Sequence, residues 1–375
     1  MKDLNEGAMI GSVTRAFEEL ISEMPEGGAS LSIWRGNQSL ISLHGGDSSR
    51  EIPWTSTTPC LIWSASKGIA SACVLHALQQ KGISIASPVS DFWPEFAACG
   101  KGTVTLSQVL AHQAGLAALD KKGLSITDHD AVALALAEQT LNWEIDGSHG
   151  YGARTFGILL DEIIRRMTGE SIASYWNRVF RDSLSLDLWF GLPPERVMTA
   201  ATVIAPKSPP ESSPFTKAFG NPASLTRRAL SEPNDKGRAL TPSVMNSPEM
   251  RMASIPSLGA ISTSGALARF YSLLAGPSDF FTPESRLLME TTVSRGLDLT
   301  LLQETSFSSG FMTNDFGVYG AGRRSFGHPG AGGAVGFADP ELGLGFSFIP
   351  SAMNPGALPG PRTQKLMLAL YGISQ

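Results

Sequence analysis

The chain has 375 residues, 42% of them hydrophobic and 17% charged, with a net charge of −5 at neutral pH. That length exceeds one minimal domain and supports a large core, so two intertwined lobes are expected, and the composition excludes a disordered chain. The acidic balance leaves no basic footprint, which excludes nucleic acid and an anionic membrane as expected partners.

From about Ile10 to Met24, Val13, Phe17, Leu20 and Ile21 fall on one helical face. No basic region precedes an apolar run here, so the segment reads as an amphipathic helix and not as an export signal. No apolar stretch is long enough to cross a bilayer, and a cytoplasmic location is the expectation. Two short runs follow, Ala29 to Trp34 and Ser39 to Leu43, split by Gly36-Asn37, and predict a β-hairpin. Ser66 to Gln80 is apolar or small nearly all round, the pattern of a buried helix, with Gly82 placed to end it. Cys60, Cys73 and Cys99 are odd in number and match no zinc spacing, so free, mostly buried thiols in a reducing compartment are expected.

Helical signals dominate from about Val89 to Arg181. Thr105-Leu106-Ser107-Gln108 fits a capping box, with Gly115 expected to close that helix. Phe156 to Met167 is strongly periodic, and Ile172 to Phe180 predicts a further helix. Residues from about Pro206 to Pro256 are rich in Pro, Ser, Asn and Arg with weak periodicity, and read as an irregular excursion. Ala266 to Leu274 is helical. Gly333 to Ala338 and Leu344 to Ile349 predict strands around a turn at Asp339-Pro340-Glu341, and an amphipathic helix closes the chain from about Pro361 to Tyr371. The terminal segments must then supply one sheet between them. The expected division is a discontinuous α/β sheet domain, 1–82 with 257–375, and a mostly helical domain, 83–256, that includes the excursion at about 200–256.

Ser64-Ala65-Ser66-Lys67 is the first candidate for chemistry. A nucleophilic serine needs a base within hydrogen-bond reach, and three residues along a helix put both side chains on one face. Alone the tetrad is weak, since ordinary Ser and Lys usage yields about one such match by chance in a chain this long. The apolar helix behind it turns Lys67 inward more often than a random surface lysine. Tyr151 lies just before the helix from Phe156 and could share a proton with a serine and a lysine, although a lone tyrosine is far more often structural. His328-Pro329-Gly330-Ala331-Gly332-Gly333 leads into a strand, with glycines that let backbone approach a ligand. The dinucleotide spacing fails there, no Gly-x-Ser-x-Gly elbow or Walker loop occurs, and the six histidines show no metal-ligand spacing. Neither a metal nor a cofactor is expected.

Taken together and in this order, the three segments resemble the serine β-lactamase and penicillin-binding-protein superfamily, class C-like. Trp63 to Lys67 resembles the nucleophile motif, Tyr151-Gly152-Ala153 the Tyr-x-Asn motif, and His328-Pro329-Gly330 the Lys-Thr-Gly motif. Gln108 to Leu116 resembles the family segment that precedes the tyrosine. Within the group, residues 326–341 pull the chain toward carboxylesterases with a β-lactamase fold, family VIII type, and cytoplasmic β-lactamase domain-containing serine hydrolases. The resemblance implies an α+β fold, an antiparallel sheet flanked by helices with an inserted all-α lobe. It implies Ser64 as nucleophile, with Lys67 and Tyr151 sharing the proton in an order left open. It implies an oxyanion hole from the backbone N–H groups of Ser64 and Ala331, and substrate contacts from Trp63, Ala153, His328 and Gly330.

Two departures set the expected substrate. Ala153 stands where the family has asparagine, and His328-Pro329 where it has lysine and threonine. The amide and the cation that would meet a lactam side chain and a carboxylate are missing, so a small neutral ester is the expected partner. Hydrolysis of such esters through an acyl-serine is the leading expectation. Acyl transfer to a small-molecule acceptor is the alternative. A β-lactamase or D-Ala-D-Ala peptidase ranks below both, and a catalytically silent binding protein is weakened by the presence of Ser64, Lys67 and Tyr151 together. Monomer and homodimer both fit the sequence.

Overall fold

The computed structural model describes residues 6–207, 211–231, 240–356 and 358–373. Helix α1 (Glu6–Glu23) buries Met9, Val13, Ala16, Phe17 and Leu20 along one stripe, as its spacing requires. β1 (Gly28–Arg35) and β2 (Gln38–Ser49) form the expected hairpin. β2 runs past Leu43 to Ser49, because Gly45 and Gly46 carry no hydrophobic signal yet still pair with Ala29 and Gly28. β3 (Ile52–Pro53) adds an edge, and β4 (Cys60–Leu61) leads toward α2 (Ser66–Lys81), which is buried on every side from Ser66 to Leu78.

In α3 (Leu106–Leu110) the capping box forms as read: Gln108 N–H donates to Thr105 Oγ1 at 3.2 Å and Thr105 N–H to Gln108 Oε1 at 2.9 Å. The helix ends well before Gly115, because His112 takes a left-handed φ of 59° and turns the chain first. α4 (His129–Glu138), α5 (Thr155–Thr168) and α6 (Ile172–Trp176) follow. The single helix expected to reach Phe180 instead widens into a π-helical turn at Asn177–Arg181 before α7 (Asp182–Leu184), with Trp176 and Phe180 stacked in the core at 5.4 Å. β5 (Leu188–Phe190) closes this section.

The excursion is less irregular than its composition implied. Its described residues hold α8 (Pro214–Gly220), α9 (Leu225–Leu230), α10 (Pro242–Met245) and α11 (Pro248–Met252). Each is capped by a serine or threonine, but each is too short to show a hydrophobic period. The rest of that reading, 208–210 and 232–239, lies outside the described residues. The chain then runs through β6 (Ala260–Ser262), α12 (Ser264–Leu274), α13 (Pro283–Glu290), β7 (Ser294–Leu297), β8 (Glu304–Phe307) and β9 (Met312–Thr313). It ends with β10 (Phe326–Pro329), β11 (Val335–Asp339), β12 (Leu344–Pro350) and α14 (Pro361–Leu370).

The strands make a nine-stranded antiparallel sheet in the order β3-β2-β1-β12-β11-β10-β9-β8-β7. The two ends of the chain meet at the β1–β12 seam, with Leu31 opposite Phe348 and Ile33 opposite Phe346. One face, with Leu31, Ile33, Val335, Phe337, Phe346 and Phe348, shares a core with the apolar stripes of α1 and α14. Each such side chain contributes roughly 1.5–3 kcal/mol on burial. The other face receives α12 closely. Ser32 and Ser264 hydroxyls bond at 2.9 Å, and a Cβ on Gly345 would come within 2.0 Å of the Ala268 carbonyl.

A second core joins α2, α5, α6 and α12, and a small sheet β4-β6-β5 ties it to the entrance of α2. The α+β class with an antiparallel sheet flanked by helices is what the sequence implied. Cys60 and Cys73 are buried, Cys99 is exposed, and all three are free thiols. Among the described residues no helix is long and apolar enough to cross a membrane.

Candidate active site

β4 delivers the chain to a tight turn, Trp63–Ala65, that opens α2. Trp63 has a φ of 49°, a left-handed conformation that a bulky residue holds only under outside constraint. The constraint is visible. Ser66 Oγ donates to the Trp63 carbonyl at 2.5 Å and accepts from Ala260 N–H at 3.0 Å, tying the turn to β6. The Trp63 side chain packs into the core, and Ser64 is the one residue of the turn that stays partly exposed.

Lys67, one turn along α2, is completely buried. Its Nζ donates to the carbonyls of Ala153 and Ser257, each at 2.8 Å, and lies 3.5 Å from Ser64 Oγ. Burial pushes this amine well below the usual lysine range, and the Arg154 cation pushes it further. A neutral amine has two N–H groups and one lone pair. Two carbonyls take the donors, and the lone pair is left for the Ser64 hydroxyl.

Tyr151 stands on the loop before α5, its ring 4.7 Å from Lys67 Nζ and its phenol near enough to Ser64 for that hydroxyl to act on it. Burial raises its phenol above the usual range, with the Ser64 bond opposing, so it is a protonated donor at neutral pH. The ring stacks on Phe307 at 6.1 Å and packs against His112 at 5.0 Å.

His328 lies within β10 itself, its ring 5.8 Å from that of Tyr151. Its Nδ1–H donates to the Pro329 carbonyl at 2.7 Å, so Nε2 carries a lone pair. Burial lowers this imidazole to about 3, leaving it neutral across the physiological range. Just beyond, the backbone of Gly330 abuts the nucleophile turn: a Cβ there would sit 2.2 Å from the Ile62 carbonyl. That contact holds the end of β10 against the turn that carries Ser64. Ala153 offers its carbonyl to Lys67 and no side-chain amide to the site.

The structure therefore gathers Ser64, Lys67, Tyr151, Ala153, His328 and Gly330 around one point. Chain positions as far apart as Ile62 and Gly330 are joined where β10 meets the turn. Sequence reasoning missed Ser257, whose carbonyl fixes Lys67, and Arg154, whose charge acts on it. It also missed Asp298, which holds the Tyr151 backbone. A serine in a loop and an aspartate between two leucines carry no pattern that could have flagged them. Among the described residues no cluster of His, Cys, Asp and Glu could hold a metal.

A family model described as Beta-lactamase matches residues 17–370. The chain belongs to the beta-lactamase family. It is 30% identical over 353 residues to "Esterase/beta-lactamase LipL" of Mycobacterium tuberculosis, covering 90% of this chain and 80% of that protein. Among solved structures it is similar to a penicillin-binding protein homolog from Caulobacter crescentus, with a TM-score of 0.88, 29% identity and 97% of each chain covered. A family VIII carboxylesterase superposes with a TM-score of 0.87 at 27% identity, again over 97% of each chain. The protein is thus an enzyme of the β-lactamase fold with esterase-named relatives, and the resemblance read from three short motifs extends over nearly the whole chain.

Proposed function

We propose that the protein is a serine carboxylesterase that cleaves small neutral esters through an acyl-Ser64 intermediate. The observation that carries this reading is the setting of Lys67: fully buried, bonded to two carbonyls at 2.8 Å, and turned toward Ser64 Oγ at 3.5 Å. A buried lysine whose pKa is lowered in this way can serve as a general base.

In the first half-reaction Lys67 takes the Ser64 proton as Oγ bonds to the acyl carbon. The oxyanion settles on the N–H groups of Ser64 and Ala331, a contribution of about 3 kcal/mol per donor in comparable sites. The ester C–O bond then breaks, and Tyr151 gives its phenolic proton to the departing alkoxide. The phenolate is reset by the proton held on Lys67. In the second half-reaction water attacks the acyl carbon, its proton passes to the same base, and Ser64 leaves with its hydroxyl restored.

Two features favour a neutral ester over a β-lactam. His328 carries no charge at neutral pH with which to pair a substrate carboxylate. Ala153 has no amide to bind an acylamino side chain. The family VIII carboxylesterase and the esterase-named relative support the same choice. The three free thiols fit a cytoplasmic enzyme.

Hydrolysis of p-nitrophenyl acetate and butyrate, set against a chromogenic cephalosporin, tests the reading. Turnover of the esters, near inertness of the cephalosporin and loss of ester activity in Ser64→Ala are expected. Cephalosporin turnover at a comparable kcat/KM would replace the esterase reading with a β-lactamase one.

A further inference from the structure

The three backbone donors from Gly150 to Gly152 are all held from outside the loop. Gly150 N–H donates to the His112 carbonyl at 3.0 Å. Tyr151 N–H donates to both carboxylate oxygens of Asp298, at 3.1 and 3.2 Å. Gly152 N–H donates to His112 Nδ1 at 3.2 Å. Two residues far apart in the chain thus grip the loop that carries the phenol.

Both are built for that purpose at a cost elsewhere. Asp298 is wholly buried and, among the described residues, lies near no lysine or arginine ion-pair partner. Its carboxylate is met by donors alone: the N–H groups of Thr300 and Leu301, each at 2.8 Å, and Thr305 Oγ1 at 3.2 Å, besides Tyr151. An acceptor-only group is what such a ring of donors needs, and an asparagine would turn an NH2 into it. His149 braces the far side, bonding Thr305 Oγ1 at 2.8 Å through Nε2 and accepting Leu299 N–H at 3.0 Å on its carbonyl. His112 adopts a φ of 59°, strained for a residue other than glycine, and its ring packs on Tyr151, Phe156 and Phe307. Burial holds this imidazole neutral, which leaves Nδ1 free to accept.

We propose that Asp298 and His112 are positioning residues that clamp the backbone at 150–152 and so keep the Tyr151 hydroxyl on Ser64 while the alcohol departs. The inference rests on the reading of Tyr151 as proton donor. When the ester C–O bond breaks, an alkoxide must take the Tyr151 proton, whereas p-nitrophenolate leaves as a stable anion and needs none. A loosened phenol therefore hurts alkyl esters selectively, and a general structural defect hurts both substrates alike.

The test compares kcat/KM, which reports the steps through acylation, for p-nitrophenyl butyrate and ethyl butyrate. Tyr151→Phe is expected to lose at least about 30-fold more on the ethyl ester than on the aryl ester. Asp298→Asn should reproduce that split, losing roughly 10- to 100-fold on the ethyl ester and under about 10-fold on the aryl ester. Adding it to Tyr151→Phe should cost nothing further on the ratio. Should Asp298→Asn fail to fold, His112 carries the test. His112→Ala is expected to show the split. His112→Asn, whose Oδ1 can accept the Gly152 N–H and which tolerates a left-handed backbone, should restore it toward wild type. Equal losses on both esters in Asp298→Asn and His112→Ala, with the split intact in Tyr151→Phe, would overturn the clamp and leave the esterase reading standing. No split in Tyr151→Phe would remove the proton-donor role and the clamp together.

Discussion

Lys67 Nζ lies 3.5 Å from Ser64 Oγ and 2.8 Å from each of the Ala153 and Ser257 carbonyls. With both carbonyls taking N–H groups, a neutral amine would have its lone pair left for the Ser64 hydroxyl. The proposed mechanism depends on that amine losing its proton, and the burial of Lys67 favours the neutral form.

The pH profile should report this directly. Lys67 is basic only above its folded pKa, which burial and Arg154 set well below the usual lysine value. Ester kcat/KM is therefore expected to rise with pH through that value and to fall away as the amine protonates. Lys67→Arg, which stays protonated, should lose at least about 10³-fold across the profile. Full activity in the arginine variant would remove Lys67 from the base role.

His328 should leave no mark on that profile near neutrality. With its imidazole lowered to about 3 it is uncharged near neutral pH. His328→Gln is expected to lower kcat/KM without moving the acid limb. A limb that shifts in this variant would show that the histidine titrates in the working range.

Stability should fall on acidification, because several histidines are buried neutral. His76 is lowered to about 4 and His328 to about 3, both chiefly by burial, and His112 is lowered as well. Between these values and the unfolded imidazole value near 6.5, the unfolded chain binds more protons than the native one. The stabilisation is complete above about pH 6.5 and is lost as pH falls toward 3. For His328 alone the difference approaches roughly 4–5 kcal/mol. Thermal unfolding followed from pH 7 to pH 4 should show Tm falling throughout. His328→Gln should show a shallower slope, and an unchanged slope would contradict the assignment.

Gly330 fixes the distance between β10 and the nucleophile turn. A Cβ would meet the Ile62 carbonyl at 2.2 Å, and backbone on both sides cannot yield as a flexible side chain would. Gly330→Ala is expected to lower kcat/KM by at least about 10-fold through displacement of β10 from the turn that carries Ser64, with a loss of about 1–3 kcal/mol in stability. Ester kinetics and thermal unfolding on the same sample check both halves.

Much of this architecture was legible because it is written in periodicity. The stripes of α1 and α5, the hairpin at Gly36-Asn37 and the all-round burial of α2 need only the residue types and their spacing. Ser64, Lys67 and Tyr151 were legible as a set, though no one of them stood out alone. What stayed hidden is held by backbone. Ser257 acts through its carbonyl, Ala153 likewise, and Gly330 through the lack of a side chain. Asp298 reaches Tyr151 across 147 positions, and no local pattern encodes such a contact. The helices of the excursion were missed for another reason. Their caps are strong, but each is shorter than the window over which a helical period can be recognised.

Trapping the acyl-enzyme tests Ser64 as the nucleophile most directly. Wild-type protein is mixed with p-nitrophenyl butyrate, quenched in acid within the first turnover, and examined by intact mass and peptide mapping. One butyryl group is expected, carried on the peptide that contains Ser64, with no adduct at that position in Ser64→Ala. A butyryl group mapped to another residue, or full ester turnover by Ser64→Ala, would contradict that assignment.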